Sequence, residues 1–102
     1  MKNDEQALAH YQFSSTIDVL ATLDQLGIEH LEVSTERTIV IYHRTIFNFA
    51  VLTGQLDTAQ TVTVEVFDIS PDLDADTDPV SLIEHLIGEL ATVASVDWER
   101  QS

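Results

Sequence analysis

TVTVEVFDI, residues 61 to 69, places Val62, Val64 and Val66 on one side of an extended chain and Thr61, Thr63 and Glu65 on the other. Successive side chains of a strand point to opposite faces, so this run reads as a strand with one buried and one wet face. A parallel sheet is covered on both faces and lacks such alternation; the pattern therefore implies antiparallel pairing. The rest of the fold is read outward from here.

Upstream lie three more β-rich runs, EHLEV (29–33), RTIVIYHR (37–44) and TIFNFAVLT (45–53). The polar segment STER between Val33 and Thr38 is short enough for a hairpin, and Gly54 with Asp57 signals a loop in GQLDTAQ. Residues 38–52 are too long for one ordinary strand of ~5–6 residues. They are split near His43 to Thr45, although no Gly, Pro or Asn marks a turn there, and a single bent strand is the alternative.

Two stretches follow a helical period. In SSTIDVLATLDQLG, Ile17, Leu20, Leu23 and Leu26 share one face, Ser15 is the expected N-cap and Gly27 the C-terminal glycine, giving a helix over 16–26. In PVSLIEHLIGELATV, Val80, Ile83, Leu86, Ile87, Leu90 and Ala94 form an apolar stripe, and Asp78 followed by Pro79 supplies both a cap and a preset first turn, giving a helix over 79–92. Residues 9–13 alternate as a strand would, with a short helix over 4–12 as the alternative. Ala94, Val96 and Trp98 alternate as a final strand would, with a continuation of the helix as the alternative.

Two amphipathic helices need a surface to cover, and a sheet with one valine-rich face provides it. The expected architecture is α+β: a two-layer sandwich in one domain, residues 1–102, with a mainly antiparallel sheet of about four to six strands and both helices on one face. The order is similar in rhythm to the ferredoxin-like, split βαβ architectures; no motif carries the likeness further.

Charge bounds the function. The chain has 18 Asp and Glu against 4 Lys and Arg, a net charge of −14. Phosphate neutralisation needs clustered cations, so direct binding of nucleic acid or anionic lipid is not expected. From Glu65 to Glu99 there are acids at 65, 68, 72, 74, 76, 78, 84, 89, 97 and 99 and no Lys or Arg. Such a field draws basic partners inward and also keeps a protein soluble. Hydrophobic residues at 44% argue against disorder, and the lack of cysteine excludes disulfides and thiolate zinc sites. MKNDEQALAHYQF lacks a signal-peptide core, and no run reaches the ~18 apolar residues of a span. The expected setting is cytoplasmic.

Catalytic signals are sparse. Gly27, Gly54 and Gly88 each fit a helix end, a loop or a helix face, and none belongs to a phosphate-cradling motif. His10, His30, His43 and His85 show no metal-ligand spacing, and no serine sits in GxSxG. No enzyme activity, cofactor or metal is expected.

SPDLDADTDP, residues 70 to 79, sets aspartates at every second position. As a calcium loop starting at Asp72 it offers Asp74 and Asp76, but Thr77 stands where glycine is needed and Ile83 where glutamate is needed. As a nucleic-acid mimic it is too dilute, with one charge per ~6.6 Å against one per ~1.7 Å in duplex DNA. It reads as a solvated connector ending in a helix cap.

The reading that follows is a non-enzymatic acidic interaction domain, an adaptor or inhibitor engaging a basic protein through Asp68, Asp72, Asp74, Asp76, Asp78, Glu84 and Glu89. The alternative is a regulatory domain binding a small anionic ligand through Arg37, Tyr42 and Arg44, where Tyr42 and Arg44 share a strand face. Either form could be a homodimer through a free sheet edge. The third reading gives the charge no role beyond solubility.

Overall fold

The alternation beginning at Thr61 is realised in space: Val62, Val64 and Val66 are buried, while Thr61, Thr63 and Glu65 are only partly covered. The computed structural model describes residues 8–69 and 78–101. In chain order the elements are β1 (Leu8–Ile17), α1 (Val19–Leu26), β2 (Glu29–Ser34), β3 (Arg37–Tyr42), β4 (Thr45–Thr53), β5 (Ala59–Ile69), α2 (Pro79–Ala94) and β6 (Trp98–Gln101), with a 3₁₀ turn at Leu56–Thr58. The strands form one sheet in the order β2-β3-β4-β5-β1-β6, and each neighbouring pair is antiparallel. This is the expected α+β sandwich. It departs from the ferredoxin-like rhythm because a four-stranded meander, β2 to β5, runs between the helices, and β1 pairs antiparallel on both sides.

Both helices cover the face that carries the valines. Tyr11 and Phe13 of β1, Val40 of β3, Phe47 and Phe49 of β4 and the β5 valines meet Val19 and Leu23 of α1 and Ile83, Leu86, Ile87 and Leu90 of α2 in one buried cluster. The three buried threonine hydroxyls in this layer all donate to backbone carbonyls: Thr22 to Asp18, Thr38 to Leu31 and Thr45 to His43. None of them carries an unpaired donor into the core.

Helix α1 is shorter than its apolar period implies. It starts at Val19, not at residue 16, because β1 continues pairing with β5 as far as Ile17 opposite Ala59. Asp18, not Ser15, is the N-cap, with its Oδ1 accepting from the Ala21 N–H at 3.0 Å. Helix α2 begins where the sequence places it. Asp78 accepts from the Val80 N–H at 3.2 Å and from the Ser81 hydroxyl at 3.1 Å, a cap worth about 1 kcal/mol. It runs on to Ala94 and stops at Ser95, whose φ of 61° is left-handed, so Ala94 and Val96 are not strand and β6 starts only at Trp98.

The long apolar stretch does split, and at the expected place. His43 and Arg44 form a two-residue hairpin turn with φ of 51° and 61°. Two consecutive left-handed residues match the twist of the flanking strands. Without glycine they cost roughly 1–2 kcal/mol each, partly offset by the edge-on packing of His43 against Tyr42, 4.3 Å between ring centres. At Gly54, φ is 94° and an added Cβ would lie 2.2 Å from the Thr58 carbonyl oxygen, so the turn into β5 closes over a bare backbone.

Candidate functional site

Tyr11 and Tyr42 occupy inward positions on β1 and β3, in phase with Phe13 and Val40. A buried tyrosine needs a partner for its hydroxyl, and both find it on α2. Tyr11 donates to Glu84 Oε2 at 3.3 Å, and Tyr42 donates to Glu89 Oε2 at 3.2 Å. Because Glu84 and Glu89 are five residues apart, a helix places them on opposite flanks, about 140° apart around its axis. Each carboxylate is anchored from below by a phenol, and their side chains remain 33% and 35% exposed.

Each flank has a second layer. Arg100 of β6 approaches Glu84 Oε2 with its Nη1 at 3.0 Å, and Trp98 packs edge-on against Tyr11 at 5.6 Å. On the other flank His85 Nδ1 lies 2.5 Å from the Tyr42 hydroxyl and 3.6 Å from Glu89 Oε2, with the His43 ring 6.0 Å away. Between the flanks Gly88 lowers the helix crest. The result is an open depression of about 420 Å³ lined by Leu26, Glu84, His85, Gly88, Glu89, Thr92 and Trp98. It offers two positioned acceptors, an indole edge and apolar floor, which suits a cation on an aliphatic stem.

Burial, reinforced by the neighbouring Glu84 charge, pushes the Tyr11 phenol up from 10 to about 12. Burial and Glu89 push Tyr42 up further. Both therefore stay protonated and donate throughout the neutral range. A phenol held above its unfolded value adds stability that is complete below pH 10 and lost as the pH climbs through about 12. Tyr11 and Tyr42 are the chain's two tyrosines. Phenolate absorbance of the native protein is expected to be missing at pH 10.5 and to rise together with unfolding, whereas the urea-unfolded chain titrates near 10. A native step near pH 10 would show that the phenols are not paired as described.

Of the residues singled out in the sequence, Glu84 and Glu89 belong to this site, although neither is a free solvated acid. Asp78 is consumed as the α2 cap, and Asp68 is exposed near the end of β5, opposite Ile46. Asp72, Asp74 and Asp76 lie outside the described residues. The anionic-ligand group does not assemble. Arg37 pairs with Ala50 at one end of the β3–β4 hairpin, while Arg44 sits in the turn at the other end. Tyr42 does not share a strand face with Arg44, because the strand has already ended and its hydroxyl points to α2. Tyr11, His85, Gly88, Trp98 and Arg100 are not among the site residues the sequence leads one to expect. Among the described residues no group of three or more His, Asp or Glu side chains is placed to hold a metal, and no helix is long and apolar enough to cross a membrane.

Fold and site together define a small acidic α+β sandwich with a carboxylate-flanked depression on its second helix. Compared with protein-family models, curated proteins and solved structures, the chain matches none of them.

Proposed function

We propose that the domain is a non-catalytic interaction module, an adaptor or inhibitor, that takes a basic protein segment across α2. The observation carrying this reading is the pair of phenol-anchored carboxylates, Glu84 and Glu89, on either side of the Gly88 depression in a chain of net charge −14. Acceptors already fixed in place lose little freedom on binding. The surrounding field speeds encounter with a cationic partner. A cytoplasmic setting and the lack of direct nucleic-acid contact belong to the same reading.

Trp98 lines the site and is the single tryptophan of the chain, so its emission reports occupancy. With a hexa-arginine peptide as probe, Glu84→Gln/Glu89→Gln is expected to weaken binding about tenfold or more at low salt. The amide oxygens still accept from the phenols, so the fold is kept. Glu32→Gln/Glu36→Gln, on β2 and in the turn that follows it, serves as control. Equal losses in both variants would reduce the acidity to a solvent coat and end the proposal.

A further inference from the structure

One of the two carboxylates beside the Gly88 depression already holds a cation of the chain's own. Register sets Arg100 opposite Tyr11 on neighbouring strands, so guanidinium and phenol reach Glu84 side by side. Both meet its Oε2, at 3.0 and 3.3 Å. Trp98, two residues earlier on β6, points to the same face and lines the depression next to Glu84. Burial and Glu84 push the Tyr11 phenol up, and the Arg100 charge opposes them. On the other flank Glu89 meets the Tyr42 phenol and the His85 imidazole, neither of which carries a fixed charge. The two acceptors are therefore unequal.

We infer that Arg100 is a built-in competitor, whose guanidinium occupies the Glu84 seat that an arginine of the basic partner takes on binding. The inference rests on the reading of α2 as the site of a basic segment. The resident side chain shows which chemistry the seat fits, a planar guanidinium beside a phenol. Arg100 is 53% exposed and Glu84 33%, and ion pairs so open to water are held weakly. The guanidinium can thus turn outward while β6 stays paired with β1.

Displacement gives the site a selectivity that net charge alone does not. The field of the whole domain draws any polycation inward. A partner with one cation then meets Glu89 open and Glu84 closed, whereas a partner with an arginine for each flank gains both carboxylates by turning Arg100 out. Discrimination arises from what the weaker partner fails to displace.

The test is a Trp98 emission titration with the hexa-arginine peptide in about 0.1 M salt, where the Debye length is about 10 Å. Arg100→Gln is expected to tighten binding about tenfold, because the seat is then empty. Arg37→Gln removes the same charge five residues before Tyr42 on β3, roughly 16 Å along the strand, and is expected to change binding by no more than about twofold. In a Glu84→Gln background, Arg100→Gln is expected to do no more than that control, since the seat it guards is gone. A gain from Arg100→Gln equal to that from Arg37→Gln, or one that persists in the Glu84→Gln background, overturns the inference and leaves the α2 site standing. If the peptide does not distinguish Glu84→Gln/Glu89→Gln from the natural sequence, both readings fall.

Discussion

Phe47→Ala is expected to cost about 4 kcal/mol. Phe47 is fully buried at the centre of the sheet, between Val40 on β3 and Val66 on β5, and its removal leaves a hole that rigid strands cannot close. Against a usual total of about 5–15 kcal/mol, that loss brings the domain near its folding threshold. The damage also reaches the site. The Tyr42 ring lies 6.5 Å from Phe47 and is held over it, so a loosened Tyr42 no longer fixes Glu89. Urea melts give the stability, and alkaline titration gives the phenol. The exposed Leu31→Ala, by comparison, is expected to stay within about 0.5 kcal/mol. A Phe47→Ala loss under about 1 kcal/mol would mean that the core is not centred where it is drawn.

Gly54→Ala is expected to cost about 3 kcal/mol, against about 1 kcal/mol for Gly27→Ala. Both residues have left-handed φ, 94° and 70°, so the backbone term is shared. They differ in what a Cβ meets. At Gly27 nothing lies within 4 Å, whereas at Gly54 the Thr58 carbonyl oxygen is 2.2 Å away, and that carbonyl belongs to the turn that launches β5. Relief requires the 54–58 turn to move, and Leu56, buried and bonded through its N–H to Thr35 O, resists. Equal melting shifts for the two variants would show that the turn yields freely.

Local patterns were legible where one residue's neighbours decide its state. The valine alternation at 62–66 and the Asp78-Pro79 start of α2 needed nothing from afar. The start of α1 was not legible, since Ile17 fits a helix period as well as a strand period, and the choice was made by Ala59 opposite it. The His43–Arg44 turn gave a place but only a faint signature, because it lacks the Gly, Asn or Asp that mark such turns most strongly. The site was the least legible part. Tyr11 and Glu84 are 73 positions apart, Tyr42 and Glu89 47, and no spacing rule links them. One signal was present: Tyr11 falls in the inward phase of Ala9 and Phe13, and a buried phenol demands an acceptor.

The position of β1 decides when folding can finish. It precedes every strand it pairs with, yet it sits inside the sheet, bonded to Thr63 53 positions later and, through Ser14, to Asp97 83 positions later. The β2–β5 meander closes through near neighbours as it leaves a ribosome. β1 must wait for β5 before it can pair and for α2 before Tyr11 and Phe13 are covered, and long closures of this kind are slow. Trp98, on the strand that pairs last with β1 and packed against Tyr11, reports the completion of that edge.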